Sequence, residues 1–176
     1  MAKKRSMRAV TTTCGRQWRP ANDTRSYNDA GMPGTAIRER SMQPSVFTRI
    51  IRGELPAARV YEDEATIAFM DAGQVNPGHV IVATKRQVET LVELDDDLAA
   101  ALFRTVARVA RAVDAAFAPE GITVLQANRP AGWQTVPHVH VHVLPRWRGD
   151  GVELVWPRKE PPLERLLELA ARIRVE

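Results

Sequence analysis

One stretch constrains this chain more than any other: Val136-Pro137-His138-Val139-His140-Val141-His142-Val143-Leu144-Pro145, which holds three of the four histidines at strictly alternate positions. Successive side chains of a β-strand point to opposite faces. The spacing therefore predicts a strand with His138, His140 and His142 on one side and the valines on the other. On a helix the same spacing would scatter the rings around the axis.

Three imidazoles a few ångströms apart cannot all be buried as cations, because like charges oppose joint protonation. Some are therefore neutral, free to act as nucleophile, base or ligand. Two chemistries suit such a strand. Neutral imidazole ligates zinc and similar ions; alternatively, one ring attacks an electrophile while its neighbours and the backbone fix its tautomer and aim. The plainer alternative is an exposed, inert histidine-rich strand.

The chain is long enough for one domain with a proper core: 176 residues, 44% of them apolar. Its net charge of +4 is unevenly placed. Residues 1–44 carry nine Lys/Arg against three acids, whereas residues 45–176 carry sixteen against eighteen. The basic balance belongs to the N-terminal stretch, so the remainder gives no reason to expect a nucleic-acid partner. Cys14 is the only cysteine, which excludes an internal disulfide and any cysteine-rich zinc module. No apolar run suits a signal-peptide core or a membrane span, and a cytoplasmic protein is the expectation.

Residues 1–44 lack helical or strand periodicity and read as a disordered basic extension, with Met42 a candidate alternative start. From Ser45 the pattern changes. Ser45 to Gly53 reads as a short capped helix. Arg59–Glu62 and Thr66–Met70 read as strands joined by an acidic turn, and Asn76-Pro77-Gly78 leads into a central strand, His79–Ala83. Asp95-Asp96-Asp97 supplies the N-cap of a long helix and acids for the positive end of its dipole. Its residues Leu98, Leu102, Val106, Val109 and Val113 share one face, with Arg104, Arg108 and Arg111 on a solvated far side. Ile122–Gln126 forms a strand, the loop Arg129–Thr135 returns the chain to the histidine strand, and Leu163, Leu166, Leu167, Ala170 and Ile173 mark a last amphipathic helix. This order predicts an α+β domain on an antiparallel sheet, residues 45–176, without a P-loop or Rossmann phosphate loop.

The His-apolar-His-apolar-His-apolar-apolar run resembles the signature of the histidine-triad superfamily of nucleotide hydrolases and transferases. Further segments are similar to that family in their usual order: Phe47 to Pro56, Val60 to Glu64, Ala68 to Asp71, Val75 to Val80, Val88 to Leu91, and Gly132 to Val136 at the family's phosphate loop. The resemblance implies a five-stranded antiparallel sheet with a long helix and short terminal helices, in a homodimer whose sheets join. It also implies hydrolysis at the α-phosphate of nucleoside phosphoramidates or dinucleoside polyphosphates, purine nucleotides above all, through a nucleotidyl-histidine and without a cofactor. His140 matches the nucleophile, His138 and His142 its flanking partners, and His79 a further histidine behind them. Asp71 matches the acid that binds the ribose hydroxyls. Asn128, Gln134 and Thr135 match polar groups around the phosphate, and Phe47, Ile50 and Phe69 the pocket for the base.

Plainer uses exist for several of these residues: Asp71 as a strand-end cap, Asn128 as a turn residue, His79 as a hydrogen-bonded core histidine, and the apolar three as core. A non-catalytic nucleotide-binding module and a His-ligated metalloenzyme are the alternative functions. Some family members hold a structural zinc with a Cys-x-x-Cys pair, a later His and the first triad His. The matching positions here are Ser45, Thr48, Gln87 and His138, a set that implies no such metal. Trp133 stands beside Gln134 where a small residue is common, which bears on substrate preference. Gly149–Glu160, with Trp156, is a candidate contribution to the partner's site.

Overall fold

The computed structural model describes residues 43–153, 155, 157–173 and 175. All but the last two residues of the expected N-terminal extension, with Cys14 and Met42, lie outside the described residues, as does Trp156.

The first helix, α1 (Val46–Ile51), starts where Ser45 Oγ accepts from Thr48 N and stops at Gly53, whose φ of +75° favours glycine. Strands β1 (Arg59–Glu62) and β2 (Thr66–Met70) follow. The turn between them is held by Asp63, whose carboxylate accepts from the backbone of Ala65 and Thr66 and from the Thr66 hydroxyl. Strand β3 (Val80–Thr84) is buried along its whole length, as its β-branched run predicts. At Gly78, before β3, φ is +95° and an added Cβ would lie 2.7 Å from the Phe117 ring, so only glycine fits this turn. Asn76 pins the same turn by donating to Pro145 O.

The long helix α2 (Asp96–Phe117) begins at Asp95, whose side chain accepts from Leu98 N, and closes at Ala118 in the left-handed region. Strands β4 (Gly121–Gln126) and β5 (His140–Arg146) then complete the sheet before a final helix, α3 (Leu163–Ala170). Ile173, expected on the apolar face of that helix, falls beyond its end. The strand order is β1-β2-β3-β5-β4 and every pairing is antiparallel. This is the five-stranded antiparallel α+β architecture expected from the sequence.

Alternation sorts the side chains into two layers. Val80, Val82, Val139, Val141 and Val143 pack against Leu102, Val106, Val109 and Val113 of α2. Leu98, predicted for the same stripe, is only half-buried near the helix start, and Arg104, Arg108 and Arg111 are exposed. On the opposite face Ile67, Phe69, Ile81 and Ala83 pack against Phe47 and Ile50 of α1. Register sets Ala83 opposite His140 and Ile81 opposite His142, so the imidazoles stand on the face that α1 covers.

Candidate active site

The histidine strand differs from its expected form in one respect: regular pairing starts at His140, and His138 lies just before it. Pro137 has no N–H to give, and His138 N turns back to Val136 O. The rings nevertheless share one side. His140 and His142 meet edge to face at 5.0 Å between centroids, and Phe47 lies edge-on to both His138 and His140.

Hydrogen bonding fixes two tautomers. A carbonyl oxygen can only accept, so His138 Nε2 donates to Thr84 O (2.7 Å) and His138 Nδ1 accepts the Ser45 hydroxyl proton (2.7 Å). His140 Nδ1 likewise donates to His138 O at 2.6 Å, which leaves its Nε2 with a free lone pair. His142 Nδ1 shares a proton with His79 Nε2 at 2.9 Å. Asp71 Oδ2 lies 3.5 Å from His79 Nδ1 and 3.8 Å from His142 Nδ1, while its other oxygen accepts from Gly73 N. Asp71 thus caps the chain after β2 and also faces two of the rings.

Burial pushes all four imidazoles below the ordinary histidine value. For His138 and His140 desolvation outweighs the favourable carbonyl contacts, and for His79 it outweighs the attraction of Asp71. His142 is pushed down to about 4 by burial and then by its neighbours His140 and His79. Near neutral pH every ring is uncharged, and His140 Nε2 is an available nucleophile.

Next to these rings a cleft of about 570 Å³ is lined by Phe47, Ile50 and Phe69, with Asp71 on its wall. Its size and its apolar lining with a single carboxylate suit a small aromatic ligand carrying hydroxyls. Val46, Pro56 and Ile81 also line it, and none was singled out from the sequence. Ile81 could have been found by register, since it pairs with His142.

The loop residues are placed differently. Gln134 Oε1 accepts from Arg129 N, and its Nε2 donates to Glu89 O and Val136 O. Asn128 Oδ1 accepts from Leu91 N and its Nδ2 donates to Gln126 Oε1. These amides hold the loop's shape, and Thr135 and Trp133 are exposed on it.

Ser45, Thr48, Gln87 and His138 come together as their counterparts in a zinc site would. They form a closed hydrogen-bonded group: Thr48 Oγ1 and Ser45 N donate to Gln87 Oε1, and Ser45 Oγ donates to His138 Nδ1. Neutral hydroxyl and amide oxygens satisfied by one another are a poor match for zinc, which selects thiolate and imidazole. In the sequence these positions stand out only as departures from a metal set; the convergence of Ser45 and Thr48 on His138, with Gln87 bracing both, belongs to the fold. Ser45→Ala removes both the helix cap and the partner of a buried ring nitrogen. We expect it to cost roughly 2–3 kcal/mol, read as a lower denaturant midpoint at unchanged slope.

An antiparallel α+β domain with four neutral imidazoles beside an apolar cleft defines a small histidine-centred class of proteins. The HIT domain family matches residues 52–149. Protein hit of Bacillus subtilis is 42% identical over 112 residues, 63% of this chain and 77% of that protein. Adenosine 5'-monophosphoramidase hnt1 of Schizosaccharomyces pombe is 31% identical over 113 residues, 64% of this chain and 82% of that protein. A crystal structure of a HIT family member from Bacillus subtilis superposes with a TM-score of 0.70 at 36% identity, covering 76% of this chain and 99% of that one. The chain belongs to the HIT family, the family its histidine run resembles.

Among the described residues no helix is long and apolar enough to cross a membrane.

Proposed function

We propose that this protein hydrolyses a purine nucleotide derivative at its α-phosphate, a nucleoside phosphoramidate or a dinucleoside polyphosphate, through a nucleotidyl-histidine. The observation that carries this reading is the state of His140: Nδ1 tied to His138 O, Nε2 unprotonated, and the ring edge-on to Phe47 at the side of the apolar cleft. The hnt1 relative, by its name a phosphoramidase, supports the phosphoramidate branch.

In the first step His140 Nε2 forms a bond to phosphorus while the bond to the leaving amine or phosphate breaks, its electron pair departing with that group. Water then attacks the same phosphorus, the P–N bond to His140 breaks, and the nucleoside monophosphate leaves. His142, facing His140, assists proton movement at the phosphate oxygens and leaving group. The base lies against Phe47, Ile50 and Phe69, and Asp71 accepts from the ribose hydroxyls. Gln134 and Asn128 act by holding the loop; direct contact with phosphate requires them to exchange their present bonds.

The proposal extends to a homodimer joined through β4, a sheet edge with Val124 exposed, and covered by α3, whose Leu163, Leu166 and Leu167 are exposed. Rapid mixing with adenosine phosphoramidate and diadenosine polyphosphate labelled at the α-phosphate, followed by quenching, tests the chemistry. An acid-labile, base-stable adduct on one histidine is expected within a single turnover; a substrate consumed with no trapped label refutes the covalent route.

A further inference from the structure

We propose that Ser45, Thr48 and Gln87 are positioning residues for the reaction at His140: through the His138 ring they keep the His138 carbonyl aimed at His140 Nδ1 and keep the ring beside the nucleophile uncharged. The inference rests on the proposed function and adds to it three residues that do not line the cleft.

Every hydrogen in the group has a fixed destination. Ser45 N–H needs an acceptor, so the Gln87 amide faces it with Oε1, and Gln87 Nε2 donates the other way, to Gln43 O. The same Oε1 takes the Thr48 hydroxyl proton. Ser45 Oγ accepts from Thr48 N and stands 2.7 Å from His138 Nδ1, a nitrogen without a proton because Nε2 carries the ring's N–H to Thr84 O. The Ser45 hydroxyl proton therefore points at the ring. A second proton on His138 would turn that hydroxyl back towards Thr48 Oγ1, a longer contact of 3.2 Å. Ser45, Thr48 and His138 are all buried, so water does not compete for these bonds.

The backbone carbonyl of the ring so clamped is the one that accepts His140 Nδ1–H. Clamping matters most in the adduct. When His140 Nε2 bonds to phosphorus and the leaving group departs with its electron pair, Nδ1 keeps its proton and the His140 ring becomes a cation. Its bond to the carbonyl then strengthens, whereas a charged His138 would oppose the new charge. Among the described residues His140 is the one titratable group that bears on His138; Thr84, Ser45, Thr48 and Phe47 around it carry no charge.

This role needs a hydrogen-bond donor at position 45, which separates it from helix capping. Ser45→Asp keeps a cap of equal quality but offers an acceptor, which draws a second proton onto His138 Nδ1. Ser45→Thr keeps both cap and donor. Steady-state kinetics with adenosine phosphoramidate are measured per folded molecule on full-length parent and variants from about pH 5 to about pH 8, with nitrogen NMR of histidine-labelled protein reading the protonation of each ring. Ser45→Asp should lower kcat at least about tenfold while KM changes by less than about threefold, and should move the acid limb of kcat to higher pH. Its His138 should carry protons on both nitrogens near neutral pH. Ser45→Thr should stay within about threefold of the parent. Should the Ser45 variants fail to fold, Gln87→Met decides: it leaves the cap intact, frees the Thr48 hydroxyl and should lower kcat in the same sense. Parental kcat in Ser45→Asp, or a loss carried by KM instead of kcat, overturns the proposal. A parent inactive towards nucleotides, with Ser45→Asp still protonating His138, would remove the proposed function and leave the control of His138 standing.

Discussion

His140→Ala should lower turnover by a factor of about 10⁴ or more while nucleoside monophosphate affinity changes by less than about tenfold. The asymmetry follows from where the ring sits. Its Nδ1 proton is spent on His138 O, so the free Nε2 contributes to catalysis by making a bond that exists only during turnover. The base and ribose contacts assigned to Phe47, Ile50, Phe69 and Asp71 lie in a cleft that His140 does not line. Removing the ring opens space beside Phe47 but leaves that cleft's walls in place. Single-turnover kinetics and calorimetry with adenosine monophosphate check the two halves. A variant that retains more than a tenth of parental turnover would show that another group forms the bond to phosphorus. A variant that loses turnover and nucleotide affinity together would point to a collapsed cleft, which the packing of Phe47 on Phe69 argues against.

The same strand shows why so much of the fold is legible in the sequence. Alternation is a local rule, so Val139, Val141 and Val143 had to pack one way and His140 and His142 the other. The capped helices were legible for the same reason, since Ser45 and Asp95 act on backbone groups three residues away. Contacts between distant segments were not. Ser45 meets His138 across 93 residues, and Thr84 O, which fixes the same ring, carries no side-chain signature at all. Gln134 and Asn128 illustrate the converse case. Their residue types fit phosphate contacts, yet an amide serves equally well to brace a loop, and only geometry tells the two apart. Asp71 was read as a partner for ribose, and its nearness to two imidazoles depends on a turn and a strand pairing that no motif encodes.

Those buried imidazoles lead to a second large effect: stability should fall steeply as pH drops from about 6.5 towards about 4. An unfolded chain protonates its histidines near 6.5, whereas in the fold all four are held lower, His142 at about 4. Between those limits the unfolded state binds more protons than the native state, so acid favours unfolding, and the loss levels off once the native rings also protonate. One pKa unit corresponds to about 1.4 kcal/mol, which puts the contribution of His142 alone on the order of 3 kcal/mol, a large share of an ordinary domain's stability. The depressed carboxylates enter only towards the acid end, because unfolded aspartates titrate near 3.8 and glutamates near 4.5: Asp63, Asp95 and Asp150, and Glu62 beside Lys85. Urea denaturation at intervals from pH 7.5 to 4.5 measures the slope, and His142→Asn should flatten it. Constant stability across that range would mean that the rings are solvated and titrate normally. Activity per folded molecule, followed over the same range, separates burial from chemistry: His140, desolvated against Phe47, is held below the ordinary histidine value, so the acid limb of its activity should fall at lower pH than free imidazole titrates.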